Sequence, residues 1–407
     1  MKTIILLISI TLTLSADIKG IILNNTTNSP IENAMVSDSK NEVKTNKKGY
    51  FELKSSEEIF HVKYYGYKPY EINASNSSNY NFRITPIKVK AMYMTFWGAS
   101  PKSKTFKKLL NIIDNTELNA LVIDVKNEFG QTSYKTNFKQ GNSYGIWHHR
   151  TIKDIKSFMK IMKEHNVYTI ARLVTFKDDI QAMNNKDYAI RNEHGKIWRN
   201  GDKMAWVDPF DKRSHDYVLS IAEDAASVGF DEINFDYIRF PAKSKLQLKH
   251  KSNQTNRVKA ITYFLHKAKN RLMKYGVYTS VNTYGEIFKN LKTDSNIGQK
   301  IKELALYSDY LSPMIYPSGF SDGSFGIDKP SKHPYEIIYK SLKNSEKIID
   351  PIRLRPWLQH FTDYTSAKQK YGKREVQLQI SASDDIGTNG WLLWSPNSRY
   401  KRDYFLK

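Results

Sequence analysis

Two patterns of apolar residues divide the chain. Between residues 17 and 86 the apolar positions come in short alternating runs separated by turn residues. The runs at 18–23, 34–36, 50–53, 59–64, 70–72 and 80–84 have the alternation of strands, and 24–30 is a turn cluster ending in Pro30. Period-two runs at this spacing, without helical periodicity, predict a small all-β sandwich.

From Val89 onward the pattern changes. Near-continuous apolar runs at 89–97, 120–125, 167–174, 232–237, 277–283, 310–316, 354–359 and 390–394 predict eight strands. Helical spacing fills the gaps at 106–113, 152–165, 215–228, 257–275, 297–306, 335–342 and 376–382. Strand–helix alternation of this kind means a parallel sheet. Eight units in this length predict an α/β fold, a closed (β/α)8 TIM barrel, preceded by the small all-β, transthyretin-like sandwich. The alternative is an open doubly wound sheet. No G-x-G-x-x-G and no P-loop follows the first strand, so that alternative lacks its nucleotide fingerprint.

The N-terminus adds a third segment. Met1 and Lys2, an apolar stretch from Ile4 to Leu14, and the small residues Ser15 and Ala16 make a signal-peptide pattern. The expected domains are therefore 1–16 signal peptide, 17–86 sandwich and 87–407 barrel. The expected location is secreted or periplasmic, with no integral membrane span, because no apolar run reaches the length of a spanning helix.

Charge and composition mostly exclude. There is no Cys, so disulfides and thiolate metal sites are absent. The net charge is +22, but its lysines are scattered through every segment. No basic stripe with interleaved aromatics marks a nucleic-acid partner. An anionic polysaccharide or an acidic cell envelope is left open. His148 and His149 are adjacent and diverge on any regular element, and H-E-x-x-H and G-x-S-x-G do not occur. No metal and no cofactor is expected.

In a barrel of this type the site lies at the C-terminal ends of the strands. Those ends are rich in polar residues: Asp124, Lys126 and Glu128 after the second, Arg172 and Lys177 on and after the third. Arg239 follows the fourth, Asn282 and Glu286 end the fifth, and Gln359 ends the seventh. Alternation puts Glu232, Asn234 and Asp236 on the inner face of the fourth strand, with Ile233 and Phe235 toward the helices. For Glu232 the expectation is a structural ion pair deep in the barrel, with Arg172 as one partner. For Asp236, at the strand's exit, it is a functional role. Trp97, Tyr237, Tyr316, Trp357 and Trp394 fall near strand ends, where aromatic faces would meet the apolar sides of sugar rings. Glycosidic hydrolysis needs two carboxyls flanking the bond.

Two resemblances sharpen this. Gly20, the run from Ser29 to Val36, Thr45 to Phe51 and Tyr65-Gly66-Tyr67 resemble the carboxypeptidase regulatory-like family, which implies a spacer or adhesive module. Phe230 to Pro241, Val122 to Lys126, Ala171 to Asp178, Leu311 to Ser318, Pro356 to Gln359 and Gly390 to Trp394 resemble a bacterial family of glycosyl-hydrolase-like barrels distantly similar to the α-amylase group. The second resemblance covers nearly all of residues 90 to 400. By position in amylase-like barrels it implies Asp236 as nucleophile and Glu286 as acid/base. It implies substrate contacts from Asp124, Lys126, Arg172, Lys177, Asn234, Tyr237, Arg239, Asn282, Tyr316, Gln359 and Trp394. The family pattern often carries Asp where this chain has Asn282, in which case Glu286 or Glu128 would serve as the acid. The expected function is an exported glycosidase acting on a polysaccharide or oligosaccharide. The rivals are a non-catalytic carbohydrate-binding or envelope protein on the same barrel, and a polysaccharide-modifying protein beside a synthesis or export machine.

Overall fold

The computed structural model describes residues 16–55, 57–73, 81–365 and 367–406. The signal-peptide pattern, save its last residue, lies outside the described residues. The chain divides into two compact units, with the break between Pro86 and Ile87.

Among its described residues the first unit holds seven strands: β1 (Ala16–Asn24), β2 (Met35–Ser37), β3 (Glu42–Lys44), β4 (Tyr50–Ser55), β5 (Ile59–Lys63), β6 (Tyr70–Asn73) and β7 (Asn81–Ile84). They form two sheets, ordered β4-β1-β7 and β3-β2-β5-β6. Both sheets turn their apolar alternate residues into one core. Ile22, Phe51 and Leu53 come from one side, Val36, Phe60 and Val62 from the other, and all are buried. The rings of Phe51, Phe60 and Phe82 meet at 6.0–6.3 Å. Strand β3 was not legible in the pattern, because Glu42-Val43-Lys44 offers one apolar residue between two charges.

The second unit is a closed barrel of eight parallel strands: β8 (Val89–Met94), β9 (Ala120–Lys126), β10 (Tyr168–Val174), β11 (Glu232–Asp236), β12 (Tyr278–Tyr284), β13 (Tyr310–Met314), β14 (Trp357–Gln359) and β15 (Gly390–Trp394). Every residue of β9, β10 and β11 is buried, as strands covered on both faces require. The ring closes where β15 pairs with β8. At Gly390, with φ of 83°, an added Cβ would lie 1.8 Å from the Val89 carbonyl oxygen, so only glycine lets the two strands meet.

The main crossover helices are Lys104–Asp114, Ile155–Glu164, Lys212–Ser227, Gln254–Leu272, Pro334–Ser345 and Lys373–Ile386. Side chains of Ser103, Asp154, Asp211 and Asn253 cap four of them by accepting from first-turn amides. Phe235 points outward and meets Phe264 of the helix Gln254–Leu272 at 5.1 Å. Several expected elements shrink, two of them for a visible reason. The helix expected at 297–306 is a single turn, Ile301–Leu304. Its first residues are held as a loop by the Asp294 carboxylate, which accepts from the Asn296 and Gly298 amides and from Arg257. The seventh strand begins only at Trp357, since Pro356 has no N–H to donate to a ladder. Among the described residues no helix is long and apolar enough to cross a membrane.

Candidate active site

The barrel interior is filled by three polar layers. In the lowest, Glu232 forms a buried ion pair with Arg355 and accepts from the Tyr168 hydroxyl at 2.9 Å. The Arg355 guanidinium sits 3.5 Å from the Tyr310 ring and donates to Asn389 at 2.8 Å. Glu232 is thus an ion-paired structural residue, but its partner is Arg355 from the seventh strand's approach and not Arg172.

The middle layer is neutral. Asn234 Nδ2 donates to Ser280 Oγ at 2.7 Å and to Asn282 Oδ1 at 2.9 Å. Trp357 Nε1 donates to the same Asn282 oxygen at 2.8 Å. Trp357 is fully buried, so it lies inside the barrel and is not a platform at the rim. Asn282, 2% exposed, is a shared acceptor that fixes the Trp357 indole. An aspartate there could accept the same two bonds, so the departure from the family pattern leaves this layer's geometry in place.

The top layer holds the charges. Strand register sets Arg172 of β10 beside Asp124 of β9 and Asn234 of β11, with Asp236 one step further along. Arg172 Nη1 lies 2.5 Å from Asp124 Oδ1, and Nε donates to Asp236 Oδ2 at 2.8 Å. Nη2 lies 2.8 Å from Asp236 Oδ2 and 3.3 Å from Glu128 Oε1, so these carboxyl oxygens are at most about 6 Å apart. Tyr93 donates to Asp124 Oδ2 at 3.1 Å. The Tyr93 and Trp394 rings stack at 4.0 Å, and the guanidinium lies 5.4 Å from the Trp394 ring.

Asp236 is held on both oxygens, because the Tyr237 amide donates to Oδ1 at 2.7 Å. Tyr237 has a φ of 48°, rare for a residue with a Cβ. Strain of this kind gathers at functional sites, and here it accompanies an amide turned back onto the carboxylate one residue earlier.

Three carboxylates share one guanidinium, so one positive charge cannot neutralise them all. Burial works against the charged Arg172, but Asp124, Asp236 and Glu128 outweigh it and hold its pKa well above the ordinary value. Burial pushes the Asp124 carboxyl the other way, up to about 6; Arg172 opposes this and the Glu128 charge adds to it. Both pKa values rise, which favours the charged form of Arg172 and the neutral form of Asp124, because burial outweighs the arginine at this carboxyl.

The other expected residues surround this cluster. Lys126 is buried behind it, 2.8 Å from Asp178 and donating to the Val174 carbonyl at 2.5 Å. Lys177 pairs with Asp202 at 3.0 Å and lies 4.8 Å from the Tyr237 ring. Arg239 stacks over Trp206 at 5.1 Å and Tyr237 at 5.3 Å. Gln359 accepts from the Ser318 amide at 3.2 Å and donates to the Phe361 carbonyl at 3.1 Å, fixing the loop beside Tyr316. Tyr316 is half-buried and meets Phe361 edge-on at 5.6 Å. Trp97 is 65% exposed and packs against Phe96. Glu286 stands on a short helix after β12, 3.8 Å from Lys289; its recorded ion pair is with that lysine and not with the Arg172 cluster. Tyr93, Trp206 and Phe361 were missed. Tyr93 had a signal, since alternation along 89–94 turns it to the same face as Ala91; Trp206 and Phe361 lie in loops without a period.

Among the described residues no group of His, Asp and Glu could hold a metal ion. The chain is similar to many solved proteins, among them the following three. One is a hypothetical protein from Ruminiclostridium thermocellum, at 30% identity over 47% of this chain and 96% of that one, TM-score 0.42. Another is the PgaB (BpsB) glycoside hydrolase domain from Bordetella bronchiseptica, at 12% identity over 79% of this chain and 99% of that one, TM-score 0.55. A third is the spore cortex-lytic enzyme SleL from Bacillus megaterium, at 14% identity over 82% of this chain and 75% of that one, TM-score 0.47. The likeness to the Bordetella domain speaks for the fold. No curated protein matches the chain. The model of the family described as "Putative glycosyl hydrolase domain" matches residues 91–400, and the chain belongs to that family.

Proposed function

We propose that this chain is an exported glycoside hydrolase that cleaves a polysaccharide or oligosaccharide, with Asp236 and Glu128 as its carboxyl pair. The observation that carries the proposal is the shared Arg172 Nη2, which keeps the two carboxyl oxygens within about 6 Å. Retaining enzymes hold their carboxyls about 5–5.5 Å apart, and inverting ones about 6.5–9.5 Å. In this reading Asp236, positioned by Arg172 and the Tyr237 amide, attacks the anomeric carbon. Glu128, whose side chain is 29% exposed, reaches solvent and serves as acid and then as base. Its contact with the cluster supports it over Glu286 for that role. In this reading the half-buried rings of Trp394, Tyr316 and Tyr237 line the approach of the sugar. Export rests on the apolar N-terminal run. The test is incubation with a polysaccharide panel followed by reducing-end detection, run beside Asp236→Asn. New reducing ends from the parent and none from the variant support the proposal; equal release from both removes Asp236 from the reaction.

One observation favours the rival, a non-catalytic carbohydrate-binding barrel. Asp124, Asp236 and Glu128 all meet Arg172, so the cluster is also a hydrogen-bonded network that holds its own members. That rival expects oligosaccharide binding with no bond cleavage.

A further inference from the structure

Away from the barrel mouth, a cavity of about 500 Å³ opens between the first turns of the helices Lys212–Ser227 and Gln254–Leu272. Lys212, Lys251 and Lys259 line it, and all three are exposed. None of them has a carboxylate within ion-pair distance among the described residues. The carboxylates nearby are already engaged. Asp211 is held by Arg213 at 2.8 Å and Lys249 at 3.0 Å, and Asp208 accepts from the Lys249 and Phe210 amides. Three uncompensated ammonium groups beside two helix N-termini make a positive cleft.

The cavity also has an apolar wall, backed by a neutral histidine. Phe210 and Tyr263 line it, with the Lys212 ammonium 4.4 Å from the Tyr263 ring. His215, another lining residue, is 1% exposed. Its Nε2 lies 2.8 Å from the Pro209 carbonyl oxygen, which can only accept, so Nε2 carries the proton. Burial pushes the His215 pKa down to about 4, which keeps the ring neutral. Nδ1 is then a bare acceptor, buried and without a partner among the described residues. Nδ1 has essentially no accessible surface, so a ligand in the cavity does not reach it, and His215 stands as a neutral back wall of the cavity.

We propose that this cleft binds an anionic sugar, its acid group held by the three lysines and its apolar face against the wall of Phe210 and Tyr263. The site is separate from the barrel mouth and stands whether or not the mouth is catalytic.

Calorimetric titration of the full chain with glucose 6-phosphate, glucuronate, glucose and inorganic phosphate tests it. At least one of the two anionic sugars is expected to bind tenfold or more tightly than both glucose and inorganic phosphate, and to weaken as salt rises. The double variant Lys212→Ala/Lys259→Ala changes only exposed side chains and is expected to lose that binding tenfold, with its melting temperature unchanged. Asp236→Asn is expected to bind as the parent does. The proposal is overturned if neither anionic sugar binds, or if inorganic phosphate binds equally well, which would mark a plain anion site. It is likewise overturned if the lysine variant binds normally, or if Asp236→Asn abolishes binding, which would move the ligand to the mouth.

Discussion

Arg172 Nε donates to Asp236 Oδ2 at 2.8 Å, and this bond joins the third strand of the barrel to the exit of the fourth. The same guanidinium reaches Asp124 on the second strand. A single side chain therefore sets the spacing of the carboxylates, and their chemistry depends on its charge.

Asp236→Asn separates a chemical role from a structural one. The change keeps the shape and the Tyr237 contact but removes the negative charge. If Asp236 attacks or stabilises an oxocarbenium-like centre, turnover is expected to fall on the order of 10²–10³-fold or more, with little change in melting temperature. If it only balances Arg172, the variant instead loses stability by about 3–5 kcal/mol, and activity falls in step with the folded fraction. Initial rates beside thermal melts distinguish the two.

Glu128→Gln and Glu286→Gln form a second comparison. Glu128 contacts the arginine of the cluster, whereas Glu286 pairs with Lys289. Loss of the acid is expected to lower turnover by roughly 10²–10⁴-fold in Glu128→Gln, and most for substrates with poor leaving groups. Glu286→Gln is expected to stay within about twofold of the parent, as is usual for removing an exposed pair. The reverse pattern would return the acid role to the residue that strand position implies.

The barrel was legible because period and alternation are strong where strands are buried on both faces. The inward set Glu232, Asn234 and Asp236 followed directly from alternation on β11. What alternation could not give is the partner across the barrel. Arg172 and Arg355 both point inward, and only the stagger of the strands decides that Arg355 meets Glu232 below while Arg172 meets Asp236 above. The same limit misplaced Trp357, whose position near a strand end did not reveal that its indole turns inward to Asn282. Glu128 lies past the end of β9, where no period applies, so its approach to Asp236 is a property of the loop.

The lowest layer is expected to matter for folding and not for chemistry. Arg355→Met leaves the Glu232 charge buried without its partner, which costs about 3–5 kcal/mol. Turnover per folded molecule is expected to stay within twofold, because the neutral middle layer separates this pair from the mouth. Denaturant midpoints with rates normalised to folded protein check it. A large fall in normalised rate with an unchanged midpoint would assign the pair to the reaction.

Asp124 sets the dependence of stability on pH. Its folded pKa is pushed up to about 6 by burial, against about 3.9 for an ordinary aspartate. A raised pKa means that the folded state binds this proton more tightly than the unfolded one. The contribution is therefore fully present below about pH 4 and is lost as pH rises through 6. A shift of about two units corresponds to about 3 kcal/mol at most. Asp124→Asn keeps the neutral form at every pH. Its amide oxygen can still accept from Arg172, and its NH₂ can meet the Tyr93 hydroxyl once that hydroxyl rotates to accept. Between pH 4 and 7 the parent is thus expected to lose stability relative to the variant, with the gap moving in the variant's favour by up to about 3 kcal/mol. Urea midpoints at both pH values measure it. A gap that moves in the parent's favour as pH rises would mean that Arg172 outweighs burial and depresses the Asp124 pKa.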